Sequence, residues 1–156
     1  EEVFARIITF GKALGTHGAA ILGSSQLRSY LINFSRAFIY TTAAPFLNHL
    51  AIQCAYLYLK SRDHQSDIHQ RIKLFQQSIK SETKLLYSRS AIQIIVIPGN
   101  DKAREAARLI QQGGFDVRAI LSPSVAEGSE RLRICLHNHN SMTEIKNLCE
   151  LLNNIL

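Results

Sequence analysis

Apolar residues fall in short blocks along this chain, and their period shifts from one block to the next. Val3 to Phe10 is an apolar-rich run that ends in Gly11-Lys12, which predicts a strand running into a loop. Ala19-Ala20-Ile21-Leu22 is a second short run, closed by Gly23. Ser24-Ser25 then offers an N-cap for a helix to about Phe34, with Leu27, Leu31 and Phe34 at helical spacing. Phe38 to Thr42 is β-branched and aromatic, and suits strand packing. Pro45 fits the first turn of a following helix, to about Arg62, that is apolar on nearly every side and is expected to be buried.

The pattern changes after residue 62. Ile68, Ile72, Phe75 and Ile79 form one apolar stripe on a helix over Asp67–Lys80. Ile92 to Ile97 predicts a β-branched strand stopped by Pro98-Gly99-Asn100, and Asp101 is expected to cap a helix to about Gln112, ended by Gly113-Gly114. Asp116 to Leu121 and Leu132 to Leu136 predict two more strands around a Ser-Pro-Ser loop. Ser141 opens a last helix with a capping box to Glu144. From residue 92 the order strand, helix, strand, strand, helix predicts an α+β layer. Residues 1–62, with two short strands and helices that lack a sheet of their own to cover, predict the end of another domain, so the class overall is α/β.

Composition narrows the class further. With 156 residues, 46% of them hydrophobic, and only 8 Gly and 3 Pro, the chain has enough apolar material for a core and is neither fibrous nor disordered. The longest apolar stretch, Ala43 to Leu59, is interrupted by Asn48, His49 and Gln53, so it predicts a helix within a core and no membrane association. Glu1-Glu2 argues against a signal peptide, and the missing initiator Met predicts a processed or cut chain. Cys54, Cys135 and Cys149 are odd in number, widely spaced and without a CxxC pair, which points away from disulfides and zinc and toward the cytoplasm. The net charge of +6 is concentrated toward the front and middle, since residues 60–89 hold seven basic groups against three acidic ones while residues 90–156 balance.

The candidate chemistry centres on Thr9-Phe10-Gly11-Lys12-Ala13-Leu14-Gly15. A lysine between glycines just after an apolar strand is poorly placed for a solvated role, and desolvation lowers an amine's pKa toward what covalent catalysis requires. Thr9 can present a hydroxyl to the same ligand. A plain turn lysine has the same spacing. Arg131-Leu132-Arg133 puts two guanidinium groups on one face of a strand, and surface charge explains either one equally well. His137-Asn138-His139 has chelating spacing but no third ligand, so no metal is expected. His17 lies beside the lysine loop.

The Thr9–Gly15 segment, followed by Gly18-Ala19-Ala20-Ile21-Leu22-Gly23-Ser24, resembles the pyridoxal 5'-phosphate lysine segment of the α-oxoamine synthases. The resemblance continues through Asn33-Phe34-Ser35-Arg36-Ala37-Phe38-Ile39-Tyr40-Thr41-Thr42-Ala43-Ala44-Pro45 and Ile92 to Gly99. It closes with Gly114 to Pro123 and Gly128-Ser129-Glu130-Arg131-Leu132-Arg133-Ile134, so matching blocks span nearly the whole chain in order. Ser124 and Ala126 depart mildly from the family's usual Thr and Pro.

The resemblance implies the end of a large cofactor-binding domain and its connecting helix over residues 1–62. It implies a small domain over 63–156, with a short, mainly antiparallel sheet covered by helices. Lys12 would hold pyridoxal 5'-phosphate covalently and then take the substrate's α proton. Thr9 would bind the cofactor phosphate, as Thr41 and Thr42 would across a homodimer boundary, and Arg133 would clamp the substrate carboxylate. The activity implied is decarboxylative condensation of an amino acid with an acyl-CoA. In the biotin-pathway branch these are L-alanine and pimeloyl-CoA or its carrier-protein form; in other branches the amino acid is glycine or serine. Family members are much longer, and the ring-stacking histidine and the aspartate facing the pyridine nitrogen belong to their N-terminal part, so this chain alone is expected to be inactive. A non-catalytic alternative makes the basic segment 60–89 a nucleic-acid contact, but it lacks interleaved aromatics, and no nucleic acid is expected as a partner.

Overall fold

The first two apolar runs form a hairpin in the computed structural model, which describes residues 3–156; the Glu1-Glu2 pair lies outside the described residues. Strand β1 (Ala5–Thr9) pairs antiparallel with β2 (Ala19–Gly23), Ile7 opposite Ile21 and Thr9 opposite Ala19. Helix α1 (Ser25–Phe34) follows, its N-terminus capped by the Ser24 hydroxyl, which accepts from the Leu27 N–H at 3.1 Å. A four-residue helix, α2 (Arg36–Ile39), takes the place of the strand expected around Phe38. Thr41 and Thr42 lie in the non-helical link to α3 (Phe46–Lys60), so strand packing does not account for them.

Helix α3 departs from expectation in its surroundings. No residue of it is buried; Phe46 is 78% exposed and Leu47 74%. Its all-round apolarity records a surface suited to burial, not one that is covered among the described residues. Among the described residues up to Arg62, Phe10 alone is buried, and its ring meets Tyr56 of α3 edge-on with centroids 6.5 Å apart.

The chain divides into two units, Glu1–Arg62 and Asp63–Leu156. The second unit has a core of its own. Helix α4 (His64–Ser78) begins three residues earlier than its apolar stripe suggested, because the Asp63 carboxylate accepts from the Ser66 N–H at 2.9 Å. Strands β3 (Leu85–Leu86), β4 (Ile92–Val96), β5 (Arg118–Ile120) and β6 (Arg131–Cys135) form an antiparallel sheet in the order β3-β4-β6-β5. Helices α5 (Asn100–Gln112) and α6 (Met142–Ile155) complete the unit.

Period-2 alternation decides what each strand buries. Ile95, Leu132 and Ile134 turn to one face and join Ile72 and Phe75 of α4, Ile110 of α5, and Ile145, Leu148 and Leu152 of α6 in one cluster. Burying side chains of this size contributes about 1.5–3 kcal/mol each. The fold is thus α/β, with an antiparallel sheet whose apolar side chains pack with three helices. Gln93 is fully buried on the same face, with its amide donating to Ser90 O at 2.7 Å and accepting from Gln76 at 3.0 Å.

Asp101 does not cap α5. Gly99, at φ 100, occupies the cap position without a side-chain bond, and Asp101 lies in the first turn. The buried Glu130 carboxylate accepts from the Gly99 N–H at 2.9 Å, and backbone N–H donors hold its pKa below the usual glutamate value. Gly113 ends the helix and Gly114 follows with φ 89, as the double glycine suggested. The Ser141–Glu144 capping box is present in both directions.

Candidate active site

The loop between β1 and β2 is built on the backbone groups of three residues. Phe10 N–H donates to Gly18 O at 2.9 Å and Thr16 N–H donates to Phe10 O at 2.9 Å, closing the base. The arch above it, Gly11–Gly15, carries Lys12, whose carbonyl accepts from the Gly15 N–H at 3.0 Å. Gly15 at φ 64 and Gly18 at φ 97 occupy the left-handed region, where a side chain is strained. The two glycines let a nine-residue connection fold back on itself.

Lys12 stands exposed on this arch, so the desolvated pocket read from the glycines is not present among the described residues. Thr9 ends β1 and is exposed three residues earlier; His17 is exposed too. Thr41 and Thr42 are exposed in the same unit, in the segment that leads into α3.

Asn48, a polar interruption in the apolar run from Ala43 to Leu59, joins the loop to α3. Its side-chain oxygen accepts from the His17 N–H at 3.3 Å and its amide donates to His17 O at 3.0 Å. No local pattern announces this contact, because its ends lie 31 residues apart.

Arg133 belongs to the second unit. It lies on the sheet face opposite the core, directly across from Arg118 of β5 and Ile94 of β4. Arg131 is on the same face, but its Nε donates to Ser129 O at 2.7 Å. Arg118 is held by Asp116, Nε to carboxylate 2.8 Å. Arg133 makes no hydrogen bond or ion pair among the described residues, which leaves its forked donors open to an anion. A cavity of about 460 Å³ lies beside it, lined in part by Arg118, His137, His139 and Glu144. The rings of His137 and His139 stack at 5.0 Å, and no group of three His, Cys, Asp or Glu among the described residues is arranged to hold a metal.

The basic segment is not a free stripe. Arg71 donates to Asn140 O and Asp67 O, and Lys80 donates to Asn153 O, so these cations are tied into the second unit's own backbone. Among the described residues no helix is long and apolar enough to cross a membrane.

Residues 5–152 match the profile of the class I and II aminotransferase family, and the chain belongs to that family. Among its curated relatives are 8-amino-7-oxononanoate synthases. That of Emericella nidulans is 35% identical over 96% of this chain, and that of Citrobacter koseri is 35% identical over 94%. The chain spans 38% and 39% of the length of those two relatives. Solved structures agree on the fold. The 8-amino-7-oxononanoate synthase of Francisella tularensis superposes with a TM-score of 0.80 at 24% identity, covering 97% of this chain and 45% of that one. Serine palmitoyltransferase of Sphingomonas wittichii superposes with a TM-score of 0.84 at 18% identity, covering 96% of this chain and 38% of that one.

Proposed function

We propose that this chain carries the lysine segment and small domain of a pyridoxal 5'-phosphate-dependent acyltransferase. The reaction is the condensation of L-alanine with pimeloyl-CoA, or its carrier-protein form, with loss of carbon dioxide in biotin biosynthesis. The observation that carries the reading is Lys12, an exposed amine on an arch pinned to α3, within a chain matched over 94–96% of its length by 8-amino-7-oxononanoate synthases. The residues suit the cofactor: an accessible amine on a glycine-bearing arch, with exposed hydroxyls on Thr9, Thr41 and Thr42. Pyridoxal phosphate, when bound, supplies the electron sink for bond cleavage next to the substrate nitrogen.

Lys12 Nζ would hold the cofactor covalently and, with its amine free, would take the substrate's α proton. Thr9 Oγ1 would donate to the cofactor phosphate. Thr41 and Thr42 would donate to the phosphate held by a neighbouring subunit in a homodimer. Arg133 makes two parallel hydrogen bonds to the substrate carboxylate, a geometry that lysine does not reproduce. With the ring-contacting groups outside this chain, residues 1–156 alone turn over little or no substrate. The three unpaired thiols suit a reducing compartment, the cytoplasm.

Borohydride reduction of the chain with pyridoxal phosphate, followed by peptide mapping, tests the reading. Label should concentrate on Lys12; label spread evenly over Lys12, Lys60 and Lys73 refutes the role. Assays with alanine, glycine and serine on a protein of the relatives' length decide the amino acid.

A further inference from the structure

We infer that Asn48 is the positioning residue that sets where Lys12 stands, an inference that rests on the cofactor role proposed for Lys12. Asn48 is the third residue of α3. In a capping box the Glu or Gln at that position reaches back to the backbone N–H of the N-cap residue. Here the cap position is Pro45, which has no N–H to offer, so the Asn48 amide has no local partner of that kind. It reaches His17 instead, with an acceptor for the N–H and a donor for the carbonyl, the same pair of bonds a neighbouring strand would supply.

The position of this grip matters. His17 lies between Thr16 and Gly18, and those two residues bond Phe10 to form the base of the arch. Gly18 takes φ 97 directly beside the clamp, and a Cβ there would stand 3.8 Å from the Asn48 amide nitrogen. The base therefore has two attachments to α3, the Asn48 clamp in the first turn and the Phe10–Tyr56 ring contact farther along. One attachment leaves the base free to pivot; two fix its orientation, and with it the direction in which Lys12 projects. Because Asn48 N–H also donates to Pro45 O at 2.9 Å, the clamp ties the lysine loop to the end of the segment that carries Thr41 and Thr42.

Only a side chain with both an acceptor and a donor makes the full grip. Asn48→Asp keeps the bond from the His17 N–H and loses the other; Asn48→Leu loses both. The first measurement needs no cofactor: hydrogen exchange at Phe10, Thr16 and His17, the amides that donate at the base of the arch, in the whole chain. Exchange there should rise at least tenfold in Asn48→Leu and by less in Asn48→Asp, with amides of Ile52–Lys60 unchanged within twofold. The second is the ratio of pyridoxal phosphate trapped on Lys12 to that trapped on Lys60, which should fall five- to tenfold in Asn48→Leu and partly recover in Asn48→Asp. A general loss of folding would move both lysines and the α3 amides together, and Asn48→Asp then supplies the measurement. Unchanged loop exchange in both variants overturns the inference, as does faster loop exchange with an unchanged lysine ratio. If the wild-type chain shows no preference for Lys12, the cofactor reading fails, while loop exchange still decides whether Asn48 holds the arch.

Discussion

Replacing Arg133 with methionine should stabilise residues 63–156 in dilute buffer and change little in strong salt. Arg133 and Arg118 stand directly opposite on β6 and β5, on the face away from the core. Opposed Cβ atoms in such a pair are about 4.5–5.5 Å apart, and splayed side chains put the charges at about 7 Å. At that distance two like charges in water repel by about 0.6 kcal/mol. With a screening length of about 30 Å at 0.01 M salt most of this survives, and with about 3 Å at 1 M less than about 0.1 kcal/mol remains. The Asp116 carboxylate on Arg118 offsets part, leaving a gain of about 0.2–0.4 kcal/mol at low salt. Methionine keeps an apolar stem over the strand, and any change in packing is independent of salt. Urea melts of both proteins at the two salt concentrations, followed by circular dichroism, therefore isolate the charge effect. The midpoint should rise by roughly 0.2–0.4 M at low salt only. A difference of the same size at both salt concentrations, or a loss that grows on dilution, would refute the electrostatic account and with it the description of Arg133 as an open anion receptor.

Leu132→Ala should cost the second unit about 3–4 kcal/mol in urea melts, since Leu132 is 0% exposed between Ile95 and Ala119; a loss below about 1 kcal/mol would mean the core closes around the gap. Glu130 has a folded pKa lowered by backbone N–H donors, so its contribution is full above the unfolded glutamate value and disappears as pH falls through the folded one; the wild-type melting temperature should fall faster than that of Glu130→Gln in that acid window, and parallel curves would contradict it. Burial pushes the Cys149 thiol up to about 12, so a thiol reagent at pH 8 should modify Cys54 and Cys135 in the native chain and Cys149 only after denaturation, as intact mass would record.

The second unit was legible in its sequence because its elements satisfy local rules and its core is its own. The Ile72–Phe75 stripe, the Ser141–Glu144 box and the double glycine after α5 each act within a few residues. Strand β3 was missed because two residues have no period, and only the Leu85–Ile95 and Leu86–Ile94 pairings define it. Asp101 was misassigned because the chain turns at Gly99, and Glu130, 31 residues away, supplies the bond that fixes that turn. In the first unit, the apolarity of α3 predicted burial, but periodicity reports only which side chains suit a core, not whether something covers them. The Lys12 arch was visible through its glycines. The role given to Lys12 came from resemblance, and Asn48 was invisible because a side chain gripping a distant backbone leaves no spacing to read.

The β1–β2 hairpin has a consequence for handling the protein. It is a two-stranded sheet, so each strand keeps one side without a strand partner in the sheet. Ile7 and Ile21 face each other across it at 69% and 51% exposure, and the flanking α3 bares Phe46 and Leu47. Open strand edges beside uncovered aliphatic surface are what holdase chaperones bind and what nucleates aggregation. Yield and homogeneity of this chain should therefore be set by concentration and chaperone supply before they are set by the second unit's melting temperature. Light scattering that rises steeply with concentration, and falls when Ile7 and Ile21 are both replaced by threonine, would be its mark in a dilution series.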